Sequence, residues 1–146
     1  MPTSASASAA ALSPLQVFER FRENVLDGAA GLTEDLCADD VIVDLPFAPQ
    51  GGPRRIVGRE KFAAFAAAGR SALPVQFDEF RNITVHHTAD PEVIVAEYEV
   101  AGRVTTTGRN ASAAFVLVLR VRDGRVVHWR EYQDVTGMAQ ALSDRR

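Results

Sequence analysis

The chain has 146 residues, 47% of them apolar, a net charge of −3, and Lys and Arg residues scattered along its length. That is enough chain for one domain with a real core, without the basic stripe that nucleic acid or an anionic membrane surface would demand. No apolar run approaches the ~20 residues needed to cross a bilayer, and a single cysteine, Cys37, rules out an intramolecular disulfide or a Cys-based metal cluster and fits a reducing cytoplasm.

The opening MPTSASASAAALS has small residues but neither a basic start nor a strong apolar centre. It fails as a secretory signal and is expected to be a flexible tail over residues 1–13, ahead of one domain over 14–146. Ser13 can cap a helix, Pro14 suits its first position, and Gln16 completes a capping box. Leu15, Phe18, Phe21 and Val25 recur on one face until Asp27-Gly28 ends the run. A short helix is expected from Thr33 through Leu36.

VIVDL, 41–45, is β-branched and halted by Pro46, so it reads as a short strand. The glycines of the next loop, FAPQGGPRR, are not followed by Gly-Lys-Ser/Thr, which excludes a phosphate loop. A second amphipathic helix is expected from Arg59 to about Ala68, with Phe62, Phe65 and Ala66 on one side and Gly69 as its stop. Segments 75–87, 92–103, 111–122 and 125–134 are rich in Val, Ile, Phe, Thr and Tyr and read as strands. Asp123-Gly124 is a strong short-hairpin signal. A last helical turn covers 136–142. Helices and strands kept apart in this way point to α+β, with long antiparallel strands curling around helices and leaving a hollow suited to a ligand.

The terminal strand holds the densest chemistry. In WREYQD, 129–134, alternation puts Trp129, Glu131 and Gln133 on one face and His128, Arg130, Tyr132 and Asp134 on the other. A carboxyl on an apolar wall beside an indole is desolvated, which raises its pKa towards neutrality and lets it both take and give a proton. The bland alternative is a solvated Glu131 paired with Arg130 or Arg103. Glu97 and Glu99 share one strand face and are candidates for a second cavity carboxylate, with Tyr98 and Val100 on the opposite face. His86 and His87 point to opposite sides of a strand, so one metal can hardly take both.

ADDVIVDLP, the Gly58-Arg59-Glu60 helix start, DGRVVHWREYQD and the closing helix resemble, in that order, the SnoaL-like branch of the nuclear-transport-factor-2-like superfamily. That superfamily includes ketosteroid isomerase, limonene epoxide hydrolase, polyketide cyclases and the phenazine-biosynthesis A/B proteins. The resemblance implies a cone, a bent antiparallel sheet wrapped on helices, and a homodimer through the outer sheet face. The isomerase base falls at Leu45, with Asp44 facing the other way; its oxyanion tyrosine falls near Phe21 and its acidic donor among the apolar residues 115–119. Steroid-type isomerisation is therefore not expected. The acid of the epoxide hydrolases and of the phenazine proteins falls at Glu131, while a phenazine-type histidine falls at Phe65.

The resemblance thus implies a cofactor-independent cyclase, isomerase or hydrolase acting on an apolar, carbonyl-bearing small molecule. Glu131 would move the proton, Gln133 or Tyr132 would assist by hydrogen bonding, and Trp129, Phe21, Phe65, Leu45 and Glu97 would complete the substrate site. No cofactor and no metal ligand set is expected. A non-catalytic binding protein of the same fold, or a structural dimer with a filled cone, are the alternatives.

Overall fold

A computed structural model describes residues 11–143. The expected tail therefore lies almost wholly outside the described residues. Helix α1 (Pro14–Leu26) begins as its sequence dictates: Gln16 N donates to Ser13 Oγ at 3.2 Å and Ser13 N donates to Gln16 Oε1 at 2.9 Å. Those two bonds satisfy backbone donors that a helix start otherwise leaves free. A 3₁₀ turn (Glu34–Leu36) leads into β1 (Cys37–Asp44), followed by β2 (Arg55–Val57), α2 (Arg59–Ala72), β3 (Val75–His87), β4 (Val93–Val104), β5 (Asn110–Arg122), β6 (Arg125–Gln133) and α3 (Val135–Leu142).

The six strands form one curved, unclosed sheet in the order β2-β1-β6-β5-β4-β3. All neighbours are antiparallel except β1 and β6, which run parallel, so the sheet is mixed rather than wholly antiparallel. Parallel neighbours need a long crossover, and here everything from β2 to β5 serves as one. The strand begins four residues before the expected VIVDL because Cys37 pairs with Val126 and an irregularity then separates that pair from Ile42–His128. Asp39 and Asp40 fall in that irregular stretch and face solvent, and Asp39 meets Arg59 at 2.6 Å.

Curvature comes from β3. Its inward residues Val75, Phe77, Phe80, Ile83 and Val85 are spaced two, three, three and two apart. Two bulges, between Phe77 and Glu79 and between Arg81 and Thr84, absorb the extra residues, and Asn82 takes φ 54° in the second. Bulges bend a strand and raise its twist. Opposite the first bulge, Gly102 lets the strands close in: a Cβ there would lie 2.1 Å from the Gln76 carbonyl oxygen. The Asp123-Gly124 turn has both residues at positive φ, 53° and 78°, as a type I′ hairpin requires.

Helix α1 lies in the concave face and buries Val17, Phe18 and Phe21. Phe18 packs on Tyr98 with ring centroids 5.4 Å apart, and Phe21 on Trp129 at 4.8 Å. Helix α2 continues past Gly69 to Ala72. An interior glycine costs a helix only about 1 kcal/mol, and here alanines and the anchored side chain of Arg70 carry the helix through it. Among the described residues no helix is long and apolar enough to cross a membrane.

Candidate active site

Between α1, α2, α3 and the concave face of the sheet lies a cavity of about 310 Å³. Its wall is overwhelmingly apolar. The polar side chains on it are Arg70, Tyr98, Ser112, Trp129, Glu131 and Gln133.

Strand alternation on β6 delivers three of these together. Glu131 sits between Trp129, whose Nε1–H donates to Oε1 at 3.1 Å, and Gln133, whose Nε2–H donates to Oε2 at 2.9 Å. Both carboxyl oxygens are therefore aimed. Glu131 keeps some surface towards the cavity, but protein surrounds it on every side at longer range. Burial pushes its carboxyl above the ordinary glutamate range; the two donated hydrogen bonds pull the other way and are outweighed. Neither Arg130 nor Arg103 is its partner: Arg130 approaches Asp44 and Arg103 approaches Asp78.

Tyr98 is the residue the sequence reading left out of the site. It is 3% exposed and stacks on Phe115 at 5.4 Å, with Phe80 at 5.3 Å on another side. Its hydroxyl is held well above the usual tyrosine value, first by burial and then by the negative charge of Glu131. It therefore stays neutral, a hydrogen-bond donor at any ordinary pH. In AEYEV, 96–100, strand alternation sets Tyr98 on the face opposite Glu97 and Glu99, and that alternation is the signal that marks it.

The other candidates divide along the same line. Phe21, Phe65 and Leu45 line the cavity with Trp129, Glu131 and Gln133. Tyr132 and Glu97 do not. Alternation turns both to the convex face, where Tyr132 meets the Phe47 ring at 5.4 Å and Glu97 Oε2 lies 2.6 Å from His86 Nε2. Glu99 is also outside, accepting from Arg81 Nε at 3.0 Å.

Asp44 faces outward too. Arg55 donates to it through Nε (2.7 Å) and Nη2 (3.1 Å), and His128 Nε2 lies 2.7 Å from Oδ2. It is only 7% exposed, yet it lies near the molecular surface: partner side chains, not the bulk of the protein, cover it. The Arg55 hydrogen bonds, with help from His128, hold its carboxyl below the usual range despite the opposing effect of burial. Cys37 is buried on β1, and desolvation pushes its thiol up to about 12, so it is inert. Among the described residues no group of three His, Cys, Asp or Glu side chains is placed to hold a metal ion.

Comparison with known proteins agrees with this architecture. The uncharacterized protein YesE of Bacillus subtilis (strain 168) is 27% identical over 117 residues, covering 80% of this chain and 78% of that one. The uncharacterized PhzA/B-like protein PA3332 of Pseudomonas aeruginosa is 29% identical over 108 residues, 74% of each. Among solved structures, a Bacillus subtilis protein provisionally named an isomerase superposes with a TM-score of 0.79 at 24% identity, covering 88% of this chain and 91% of that one. A phenazine biosynthesis-related protein of Pseudomonas aeruginosa superposes with a TM-score of 0.62 at 22% identity, covering 91% of each chain. An epoxide hydrolase of Mycobacterium tuberculosis, of the limonene-epoxide-hydrolase-like kind, gives 0.59 at 22% identity over 88% of each. A structure of an NTF2-like protein from Anabaena variabilis shares the fold, with a TM-score of 0.62 at 20% identity over 84% of this chain and 87% of that one. The family match spans residues 16–129, from the first helix to the indole of the terminal strand, and the chain is a member of the SnoaL-like domain family.

Proposed function

We propose that this protein is an enzyme that moves a proton with Glu131 on an apolar, carbonyl-bearing small molecule, as a cyclase, isomerase or hydrolase needing no cofactor. One observation carries the reading: a carboxyl with a raised pKa stands on the wall of an otherwise greasy cavity, with both oxygens oriented. As carboxylate it removes a proton next to the substrate carbonyl or from an attacking water. As carboxylic acid it returns that proton to the product. Enolisation, the C–C bond formation of an aldol closure, and the attack of water that breaks an epoxide C–O bond each ask the protein to remove one proton and return one to oxygen or carbon, and a base near the working pH serves best. Tyr98, neutral and beside Glu131, can donate to the developing oxyanion. Trp129, Phe21 and Phe65 supply shape that holds reacting atoms together. Structural neighbours named as an isomerase, a phenazine biosynthesis-related protein, polyketide cyclases and an epoxide hydrolase support this range of chemistry.

The second reading is a binding protein without turnover. It is favoured by the bonds Glu131 already makes to Trp129 and Gln133, which engage both of its oxygens within the protein. Incubation with polyketide, steroid, epoxide and phenazine precursors, comparing wild type with Glu131→Gln, separates the two. Turnover that the variant loses supports the acid–base role. Equal rates overturn it, and binding without turnover of any precursor favours the second reading.

A homodimer through the convex face and a cytoplasmic location belong to the same proposal. Exposed Phe47 and Val116, beside Tyr132 on that face, support the former.

A further inference from the structure

Among the described residues, Arg70 is the one cationic side chain on the cavity wall. It projects from the last turn of α2, where Nη1 donates to the Leu73 carbonyl at 3.3 Å and Nη2 to the Val75 carbonyl at 3.0 Å, with Cζ 5.0 Å from the Phe77 ring centroid. These contacts fix the guanidinium without neutralising it. Arg55, Arg81, Arg103 and Arg120 on the sheet each meet a carboxylate. Arg70 meets none among the described residues, and its Nε is buried with no acceptor. A helix-capping role accounts for the two carbonyl bonds. It leaves unexplained a half-buried guanidinium with no facing carboxylate among the described residues, its Nε–H unpartnered as are those of Arg22 and Arg59.

Strand register separates Arg70 from Glu131. Phe77, under the guanidinium, pairs with Gly102, whereas Glu131 pairs with Leu117 and Leu117 with Ala96. Ala96 and Gly102 are six residues apart on β4, about 20 Å along the strand at ~3.3 Å per residue. A cation and an acid therefore stand at opposite ends of an apolar trough.

We propose that the ligand of this cavity is amphipathic, a monocarboxylate whose charged end is held by Arg70 and whose apolar body reaches towards Glu131. This rests on the reading of the cavity as a ligand site and adds the class of ligand. A carboxylate matches the planar guanidinium fork. A phosphate monoester brings more negative charge than one guanidinium offsets in a cavity that already holds Glu131.

The test uses the full chain and a matched pair of probes, 5-phenylpentanoate and 5-phenylpentanamide, at pH 8, followed by calorimetry and by the emission of Trp129, the only tryptophan. The carboxylate is expected to bind wild type at least about tenfold tighter than the amide, a difference of ~1.4 kcal/mol. Arg70→Gln is expected to erase that preference and Arg70→Lys to keep part of it. Should Arg70→Gln not fold, the wild-type preference and its weakening by added salt, with Arg70→Lys, still decide. Equal affinity of the two probes, or a preference that survives Arg70→Gln, overturns the role of Arg70 and leaves the ligand cavity intact. Failure of both probes to perturb Trp129 at millimolar concentration overturns both.

Discussion

The indole nitrogen of Trp129 donates to Glu131 Oε1 at 3.1 Å, so the only tryptophan of the chain is hydrogen-bonded to the carboxyl that lines its cavity. Tryptophan emission should therefore follow the protonation of Glu131. A pH titration is expected to show a transition above the ordinary glutamate range, in the direction burial dictates. Glu131→Gln should flatten it. Any turnover should rise with the same transition as the base form appears, and the variant should lose about 10²–10⁴ of that rate.

The same shift has a stability consequence. A carboxyl whose folded-state pKa lies above its unfolded value favours folding when protonated, and its ionisation on raising the pH opposes folding. Glu131→Gln is accordingly expected to melt at a higher temperature than wild type at pH 8, with the gap closing towards pH 4. Thermal unfolding followed by circular dichroism at several pH values checks this.

Asp44 behaves in the opposite sense. Its carboxyl is held low by Arg55 first and His128 second, so its contribution is fully present above the unfolded carboxyl value and is lost as pH falls through the folded one. Asp44→Asn should cost about 1–3 kcal/mol at pH 7, the range for breaking a charged hydrogen-bonded set. The loss should fade in acid. Denaturant unfolding at pH 7 and pH 3 tests it.

Gly102→Ala should destabilise the fold by more than about 2 kcal/mol, as overpacking against backbone does. The added methyl would meet the Gln76 carbonyl, which belongs to a neighbouring strand and cannot swing away. Ala101→Gly, one residue earlier on the same strand, serves as a control for strand propensity alone.

Glu97→Gln and Tyr132→Phe should leave ligand binding and turnover unchanged, because both side chains lie on the convex face. Their comparison with Glu131→Gln in one assay separates the two faces of the sheet.

Residues differ in how readily their place could be read from the chain. The end of β6 is legible because Trp129, Glu131 and Gln133 follow period two, and the one irregularity in the pairing with β5 lies earlier, between Val126 and His128. The hairpin at Asp123-Gly124 was equally plain, since few pairs accept two positive φ angles. Glu97 and Tyr132 carry suitable chemistry for a site, but strand alternation turns both to the convex face. Arg70 was hidden behind Gly69, read as a helix stop; the bonds that carry the helix onward run to Leu73 and Val75 and become visible only in three dimensions. The parallel pairing of β1 with β6 joins residues more than eighty positions apart, for instance Ile42 with His128, and no local pattern encodes it.

That pairing also fixes when the site can exist during synthesis. β6 follows the other five described strands in the chain yet lies third in the sheet, wedged between β1 and β5. Until the ribosome has released residues 125–133, β1 has no long neighbour, the edge of β5 stays open and the aromatic rings of α1 lack their indole partner. Nascent chains stopped short of Arg125 should therefore be ligand-blind and prone to self-association through two unprotected strand edges. The strand that completes the sheet is the same one that brings Glu131 to the cavity.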